Sequence, residues 1–419
     1  MYANQTRWLI RLAVGAGSPS ATGRAWEDGG LVAARTGSTG VLVTPLGGDP
    51  TPGQIDAGLA WLALNGGGDV LIWSAVPNPS LDLVFASRGC QESFVPCWMW
   101  RTLPMDALPR PVPRDIAISI ATEGDRAELA GVRDVPYATP DLSLPILSLA
   151  TREETPRSVW LVIARQRHRP PNRPAPIVGV GTLHLLDVEG KTIAGLYNLG
   201  VRPDQQGRGI GTALTAALCR IATAHGAAGI ALNATPAGEP VYRGAGFVET
   251  GRGQTWFLPQ ERLRSRPDPD TVRGAEVLGS GMTSDLPASL AGTDRMPNGD
   301  TPLAFAARFR QRRSAVWLMA NGARPEIPAL WRVGLRAEAL AAMQDPRYLN
   351  AQDGPEGTTP LHEAIRDDDV ELARLLVGAG ADLSIQDRQY RSTPLGWARA
   401  LHRPHLSTLI EAASPDPEG

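Results

Sequence analysis

The stretch of sequence that decides the fold is TIAGLYNLGVRPDQQGRGIGTALTAALCRIATAHG, residues 192–226. Its first part, residues 192–201, is apolar and ends at a turn, which predicts a buried β-strand. A glycine-rich run, QGRGIG, follows at residues 206–211. Apolar residues then recur at helical spacing until Gly226, which predicts an α-helix. The order is therefore strand, glycine-rich turn and helix.

This order predicts a site for an anion. Glycines let the backbone approach a phosphate closely, and the first N–H groups of the helix lack intrahelical acceptors. The helix dipole adds a partial positive charge there. A dinucleotide fingerprint would need glycine where Thr212 stands, and a P-loop would need a lysine that the run lacks. An ordinary tight turn is the alternative for a hexamer of this kind.

The motif Q-x-x-G-x-G, filled by Gln206, Gly209 and Gly211, resembles the coenzyme A pyrophosphate loop of the GNAT family of N-acetyltransferases. The flanking sequence supports the resemblance over about 145 residues, because the order β-α-α-β-β-β-α-β-α-β is that of the family. The elements that carry it are strands at 116–120, 160–164, 177–186 and 229–234, a helix start at 122–130, a short helix at 239–245 and Gly246-Phe247.

The resemblance implies an enzyme that binds acetyl-CoA as cosubstrate and transfers the acetyl group to an amine by direct attack in a ternary complex. It implies no metal. The residues that it places at acetyl-CoA are Leu199, Gly200, Val201, Gln206, Gly207, Arg208, Gly209, Ile210, Gly211, Thr212 and Asn233.

Two of the residues are expected to act in catalysis. Tyr242 stands at the family's general-acid position, and a phenol can donate a proton to the departing thiolate. Asn233 stands where a side chain often bonds coenzyme A or a water near the thiol. The alternatives are a packed aromatic for Tyr242 and an amide that satisfies local backbone for Asn233. The strand at 192–201 carries no carboxylate, so the general base stays open between His184, Asp187 and Glu239.

The N-terminal block, residues 1–108, is expected to be a degenerate GNAT-like domain. Residues 69–103 repeat the strand–helix–strand order that ends the fold in the block at 113–260, which is the predicted acetyltransferase domain. No Q-x-x-G-x-G run precedes them. Such a degenerate domain would pack on the acetyltransferase domain and form one wall of the acceptor cleft. The alternative is an unrelated α/β domain.

The C-terminal block, residues 298–415, contains repeats. Thr-Pro-Leu occurs at 301–303, 359–361 and 393–395, and the last two lie 34 residues apart. Threonine caps helices and proline is tolerated at their first position, so the triplet resembles the start of an ankyrin repeat. His362 is expected to bond the backbone of its own motif. The prediction is a multidomain chain with an α/β (α+β) GNAT fold in tandem and an all-α ankyrin solenoid, joined by a linker at 264–297.

Composition excludes few classes. The formal net charge of −2 gives no reason to expect nucleic acid or membrane as partner. Three cysteines do not form a disulfide framework, and none has zinc spacing. The apolar stretch at 9–14 is short and interrupted by Arg11, so a cytoplasmic protein without a signal peptide is expected.

Three functions are compatible with these patterns. The first is an N-acetyltransferase for a small-molecule amine. The second is a protein N-acetyltransferase whose ankyrin repeats recruit the substrate. The third is a non-catalytic sensor or scaffold that binds acetyl-CoA and presents the ankyrin surface to a protein, or packs that surface on the GNAT domains.

Overall fold

The computed structural model describes residues 25–36, 39–45, 48–66, 68–104, 112–138, 140–153, 156–168, 175–354 and 356–413. The apolar stretch at 9–14 lies outside these ranges. Within them, no helix has the length and apolar character needed to span a membrane. The chain divides into two compact units, one formed by residues up to 79 together with 92–265, the other by 80–91 together with 266–419.

The first unit contains the strands and most of the α/β helices. The strands are β1 (Ala25–Asp28), β2 (Leu31–Thr36), β3 (Thr39–Val43), β4 (Val70–Ser74), β5 (Gln91–Glu92), β6 (Cys97–Thr102), β7 (Ile116–Ile120), β8 (Val159–Gln166), β9 (Ile177–Val188), β10 (Lys191–Val201), β11 (Gly229–Ala234), β12 (Val248–Arg252) and β13 (Gln254–Leu258). The helices before residue 266 are α1 (Pro52–Leu64), α2 (Pro79–Ser87), α3 (Arg126–Leu129), α4 (Pro140–Ala150), α5 (Ile210–Ala224), α6 (Glu239–Gly244) and α7 (Gln260–Arg264). Of these, α2 belongs to the second unit from residue 80 onward.

The strands form two sheets of the same design. One sheet has the order β1-β2-β3-β4-β13-β5, and the other has the order β12-β6-β11-β10-β9-β8-β7. In each sheet a parallel pair, β3 with β4 or β10 with β11, is joined by a crossover helix, α1 or α5. The two sheets are therefore topological repeats of each other.

The repeats exchange their last strands. Strand β6, from the first half of the sequence, pairs antiparallel with β11 along its whole length, from Cys97 opposite Ala234 to Thr102 opposite Gly229. Strand β13, from the second half, pairs antiparallel with β4 of the first sheet. The sequence ranges 1–108 and 113–260 consequently do not map one to one onto the sheets, since each sheet is completed by the other half.

The exchange also joins the two cores. Trp98 of β6 lies in an apolar cluster with Val43, Trp73 and Ala75 of the first half. Its indole nitrogen donates a hydrogen bond of 2.7 Å to the carbonyl oxygen of Ala75. Only six per cent of Trp98 is exposed, so the sheets share buried surface as well as strands.

The second unit is helical. Its helices after residue 266 are α8 (Pro269–Ser280), α9 (Pro302–Arg308), α10 (Arg312–Ala320), α11 (Ile327–Arg332), α12 (Arg336–Met343), α13 (Pro346–Leu349), α14 (Pro360–Arg366), α15 (Val370–Gly378), α16 (Pro394–Ala400) and α17 (Pro404–Ala413). Thr301 and Thr393 accept backbone N–H bonds at the starts of α9 and α16, as the Thr-Pro pattern predicts. His362 receives the N–H of Thr359 and lies 3.0 Å from the carbonyl oxygen of Ser392, which is a structural role.

The segment at 264–297 is not a simple linker. It contains α8, whose Ala275 and Leu278 are fully buried in the core of the second unit. Asp268 caps the first turn of α8, and Gly281 ends the helix with a φ of +80°. These local capping signals outweigh the glycine- and proline-rich composition on which the linker prediction rested.

Candidate active site

The predicted anion loop has the geometry that the sequence implies. Gly209 is the N-cap of α5 and has a φ of +84°, and Gly207 has a φ of +75°. A Cβ atom on either residue would meet no atom within 4 Å, so the space beside the loop is open. The first intrahelical bond joins the N–H of Ala213 to the carbonyl of Gly209. The earlier N–H groups, those of Ile210, Gly211 and Thr212, therefore have no intrahelical acceptor.

Side chains of the loop hold its shape. The Gln206 amide donates to the carbonyl oxygen of Val201 at 3.2 Å. The guanidinium of Arg208 donates to the Asp115 carboxylate at 2.7 Å and also to Gln205. This hydrogen bond is the main cause that lowers the pKa of Asp115. The Arg208 side chain is therefore engaged within the fold.

Strand β10 is interrupted by a bulge just before the loop. Its register with β9 shifts between Tyr197 and Gly200, and Asn198 adopts a left-handed φ of +51°. Leu196, before the bulge, packs in the core beneath α5, and Leu199, within the bulge, packs against the same core. The bulge thus keeps apolar side chains on one face while it turns the backbone at 197–200.

The parallel strands separate beside this bulge. The ladder between β10 and β11 runs from Ile193 opposite Gly229 to Gly195 opposite Ala231. Beyond that point β11 continues in register with β6, while β10 continues to Val201 with β9 as its ladder partner. Beyond Gly195 and Ala231 the two strands are no longer paired, which leaves a slot between β10 and β11 on the side of the anion loop.

Tyr242 and Asn233 lie on opposite sides of this sheet. Tyr242, on α6, belongs to the core beneath α5 and is only seven per cent exposed. Its ring meets Phe247 edge to face, with centroids 5.8 Å apart. Leu232 of β11 points into that core, so Asn233, the next residue, points to the opposite face. Asn233 is paired with Trp98 of the exchanged strand.

Burial keeps the Tyr242 phenol protonated. Burial raises the pKa of Tyr242 above its usual value, and Tyr137 adds a smaller electrostatic contribution in the same direction. A phenol held in this state can donate a proton, as a general acid must. The same burial is also what a packed aromatic would show.

The three candidate bases fall in different places. Asp187 accepts the N–H of Gly190 in the β9–β10 hairpin, roughly 30 Å along the strand from the anion loop. His184 is paired with Gly195, is two per cent exposed and lies on the face away from α5. Glu239 lies 2.6 Å from Arg252, an ion pair that occupies its carboxylate.

Glu239 also has Cys97 and Glu249 nearby, and their potential ligand atoms lie within 4.8 Å of one another. Arg252 and Arg243 form ion pairs with both carboxylates. This group is an ion-pair network at the start of α6, and it holds that helix against β12. Asp187 thus lies far from the anion loop, and the carboxylate of Glu239 is engaged by Arg252.

Sequence analysis missed two residues at the slot. Asn198 lies inside the bulge, and its side-chain nitrogen is one of the buried polar atoms without a hydrogen-bond partner in the described part of the chain. Tyr137 belongs to a segment that crosses the end of β10 at Gly200, where a Cβ would collide with the carbonyl oxygen of Pro136. Neither residue stands in a motif, so only the fold brings them to the site.

Comparison with known proteins agrees with this architecture. Residues 132–247 match the family model described as acetyltransferase (GNAT) family, and residues 356–388 match the ankyrin repeat. The chain therefore carries a GNAT acetyltransferase domain, a class of protein that uses acetyl-CoA. Beside it stands an ankyrin-repeat region, so the predictions of a GNAT fold and an ankyrin repeat are confirmed.

Individual relatives are more distant. The Notch-regulated ankyrin repeat-containing protein A of Danio rerio is 45% identical over 49 residues, which are 12% of this chain and 38% of that protein. The chain thus spans well under half the length of this curated relative.

Two solved structures match part of the chain. A GCN5-related N-acetyltransferase from Kribbella flavida is 15% identical and covers 64% of this chain and 97% of its own, with a TM-score of 0.41. A tandem GNAT protein from the clavulanic acid biosynthesis pathway is 13% identical and covers 62% of this chain and 95% of its own, with a TM-score of 0.36.

Proposed function

We propose that the chain transfers the acetyl group of acetyl-CoA to an amine by direct attack in a ternary complex. The observation that carries the proposal is the slot between β10 and β11, which leads to the open glycine turn at 206–211. A thioester on a flexible arm fits such a slot when its pyrophosphate is bound by the N–H groups that begin α5. Among the described residues of the first half, β3 and β4 stay paired to Val43 opposite Trp73, so this combination is not found there.

Each group in the slot has a role in the proposed reaction. Backbone N–H groups beside the bulge, at Leu199 to Val201, orient the pantetheine arm and polarise the thioester carbonyl. The amine nitrogen forms a bond to the carbonyl carbon, the C–S bond breaks, and its electron pair goes to sulfur. Tyr242 supplies the proton that converts the thiolate to a thiol. The amine loses its own proton to solvent.

We propose a small-molecule amine as acceptor. The exchange of β6 and β13 makes the two sheets one body, and Asn233 faces the side of the sheet where the first half contributes Trp98. A protein acceptor recruited by the ankyrin repeats is the competing proposal. Deleting 296–419 is a poor way to separate them, because Leu83 and Ala86 of α2 belong to the core of the second unit.

Calorimetric titration of acetyl-CoA tests the cofactor site. Gly209→Glu places a carboxylate where the pyrophosphate is expected, and it should abolish binding. Gly190→Glu is the matched control, because Gly190 also has a positive φ, +76°, and open surroundings but lies in the β9–β10 hairpin. Both variants carry the same backbone strain. If both variants lose binding, backbone strain alone explains the loss. If the folded wild type does not bind acetyl-CoA, the proposal is overturned.

Thiol release with a panel of acceptors tests the reaction. Small primary amines and a lysine-containing peptide are compared at equal concentration, with acetyl-CoA and an indicator for free thiol. Faster release with small amines, and an acetylated product of matching mass, is the expected result. Turnover confined to the peptide would instead favour a protein acceptor, and binding without turnover would favour a sensor.

A further inference from the structure

Asn198 occupies a backbone position that suits glycine. It lies where the register of β10 with β9 shifts, between Tyr197 and Gly200, and its φ is +51°. One extra residue with a left-handed backbone is the G1 type of β-bulge, in which glycine is the usual residue. A side chain at such a position costs conformational energy, so its presence beside a reaction site points to a use of that side chain.

Packing leaves one direction for the Asn198 side chain. On the face of β10 toward α5, Leu199 packs against the core. On the other face, Tyr197 packs against the core between β8 and α4, and the turn at 135–138 covers the end of the strand. The direction that remains is the edge of β10 that faces β11, where the ladder between the two strands has ended at Gly195. This edge is one wall of the slot.

The amide nitrogen of Asn198 is buried and unused. It is inaccessible to solvent although the residue as a whole is half-buried, and in the ranges that the structure describes it has no hydrogen-bond partner. The amides of Asn65 and Asn321, by contrast, donate to the carbonyl oxygens of Trp61 and Trp317. A buried donor without an acceptor is costly, because it has lost its bond to water. This donor is therefore available to a ligand that enters the slot.

Asn198 lies near the inner end of the slot. The slot is closed where Gly195 pairs with Ala231, and it lies on the side of the glycine loop at 206–211. When a pyrophosphate is bound at the start of α5, the pantetheine arm runs along β10 from Val201 back toward the closed end. The thioester is the last group of that arm, so it arrives beside Asn198. Its carbonyl oxygen only accepts hydrogen bonds, and an asparagine amide nitrogen donates them.

We propose that the Asn198 side chain donates a hydrogen bond to the thioester carbonyl oxygen of acetyl-CoA, and that this bond lets the site distinguish acetyl-CoA from coenzyme A. The inference rests on the proposed acetyl transfer and adds a side-chain donor to it. Coenzyme A, the product, has no carbonyl group at this place, so it leaves the Asn198 amide unpaired and binds more weakly. This difference in affinity favours the replacement of product by new substrate.

The same hydrogen bond acts during the reaction. As the amine nitrogen forms its bond to the carbonyl carbon, an electron pair of the C=O bond moves to oxygen, and the Asn198 N–H stabilises the negative charge there. The electron pair then returns to re-form the carbonyl, the C–S bond breaks, and its electrons go to sulfur, which takes the proton of Tyr242. Asn198 keeps both amide protons throughout. The sum is amine plus acetyl-CoA giving amide plus coenzyme A.

Calorimetric titration with acetyl-CoA and with coenzyme A tests the discrimination. The wild type should bind acetyl-CoA about tenfold more tightly than coenzyme A. Asn198→Gly keeps the left-handed backbone and removes the amide, so it should lower acetyl-CoA affinity about tenfold and leave coenzyme A affinity within a factor of two. Glu189→Gly, which relieves a φ of +52° in the β9–β10 hairpin, is the control and should bind both ligands as the wild type does.

A second variant separates the donor from the shape of the side chain. Asn198→Asp is nearly isosteric and tolerates the left-handed backbone, but its carboxylate only accepts hydrogen bonds. It should lose more acetyl-CoA affinity than Asn198→Gly, because the carboxylate faces the carbonyl oxygen. Asn350→Asp is the control for charge, since it keeps the oxygen that accepts the N–H of Asp382 in the second unit.

Thiol release measures the catalytic part of the proposal. Both Asn198→Gly and Asn198→Asp should lower kcat about a hundredfold, as the loss of a donor to a developing oxyanion does. The Michaelis constant of the amine should stay within a factor of two. Melting temperatures of the variants show that each is folded under the assay conditions.

Two results would overturn the proposal. Asn198→Asp that keeps wild-type acetyl-CoA affinity and kcat would show that the side chain does not act as a donor. Equal losses of acetyl-CoA and coenzyme A affinity in Asn198→Gly would place the amide against the part of the arm that both ligands share.

The failure of this inference is distinguishable from the failure of the proposed function. If the wild type binds acetyl-CoA and releases thiol, and Asn198→Gly does both equally well, the hydrogen bond is refuted and acetyl transfer stands. If the wild type binds acetyl-CoA and releases no thiol with any amine, the proposed function is refuted, whereas the difference between the two affinities still reports on Asn198.

Discussion

The carbonyl oxygen of Pro136 lies against the Cα atom of Gly200, so close that any side chain at residue 200 would collide with it. This contact ties the turn at 135–138 to the end of β10, at the mouth of the slot. Glycine at 200 is therefore required by packing, in addition to any contact that its N–H makes with acetyl-CoA. Because the contact joins two parts of the protein itself, its loss should change the free energy of unfolding as well as acetyl-CoA binding.

Gly200→Ala should displace the turn at 135–138. Overpacking of this kind costs about 1–3 kcal/mol, and the displaced turn should also weaken acetyl-CoA binding about tenfold. Gly274→Ala is the control, because a Cβ at Gly274 meets no atom within 4 Å, and the residue lies inside helix α8 and outside the acetyl-CoA loop. Chemical denaturation and calorimetry on both variants check the prediction. Equal stability of the two variants would contradict the packing role of Gly200.

Sequence patterns predicted the parts of the site that are local. The strand, the glycine turn and the helix at 192–226 are contiguous, and each leaves its own periodicity or turn residues, so all three are present as expected. The short helix that carries Tyr242 was predicted for the same reason, since a short helix followed by Gly246-Phe247 is a local pattern.

Other parts depend on contacts between distant residues. The sequence of β6 predicts a strand but not its partner, and pairing with β11 rather than with β4 is decided by the exchange of whole strands. The positive φ of Tyr137 has no signal in the sequence, because type II turns usually place glycine there. In the segment containing α8, composition concealed a helix that Asp268 and Gly281 delimit.

The first half should bind no acetyl-CoA, so one molecule should bind per chain. Its parallel pair stays closed, because β3 and β4 remain in register to Val43 opposite Trp73 and a further bond joins the N–H of Thr44 to Trp73. At the start of helix α1, Thr51 and Gln54 form a capping box, which engages backbone N–H groups there. Pro52 has no N–H group, so little of this helix start can bind a phosphate.

Calorimetry of the wild type should therefore give a stoichiometry near one, and Gly209→Glu should reduce it to zero. A stoichiometry of two, or residual binding of one equivalent in Gly209→Glu, would show that the first half holds a second site.

Asn198 is expected to lower the stability of the protein and to favour acetyl-CoA binding. Its amide nitrogen is buried without a partner, which costs about 1–3 kcal/mol, and it lies in the bulge beside the slot. Asn198→Gly keeps the left-handed backbone and removes the amide, so stability should stay the same or rise while acetyl-CoA affinity falls about tenfold. Thermal melts and calorimetry measure the two effects. Glu189→Gly, with a φ of +52° in the hairpin, is the control and should leave affinity unchanged.

The exchanged strand should couple the first half to acetyl-CoA binding. Met99 of β6 is fully buried, lies opposite Leu232 of β11 and packs in the core beneath α5. Met99→Ala should cost about 2–5 kcal/mol and should loosen β11 at the edge of the slot. The expected result is weaker acetyl-CoA binding from a substitution in the first hundred residues.

Leu42→Ala, a fully buried residue of β3, is the matched control, because it lies in the first sheet away from β11. It should lower stability to a similar degree and leave the affinity of the folded protein unchanged. If both substitutions weaken binding equally, global destabilisation rather than β6 explains the effect.

Glu326 should make the ankyrin unit less stable as pH rises. Burial raises the pKa of Glu326 to about 7, although a hydrogen bond from Thr301 acts to lower it. Asp353 and Asp300 add repulsion and Arg324 adds attraction, so the carboxyl group faces charges of both signs. Because the folded pKa lies above the unfolded value of 4.5, the folded state binds more protons between these two values.

Unfolding free energy should therefore fall between pH 4.5 and pH 7, by at most about 3 kcal/mol from this group. Glu326→Gln keeps an acceptor for Thr301 and cannot ionise, so it should remove this part of the pH dependence and stabilise the unit at pH 8. Denaturation of the full chain at several pH values, followed by the fluorescence of its tryptophans, measures the slope. Identical slopes for Glu326→Gln and the wild type would mean that Glu326 is ionised in the folded protein throughout this range.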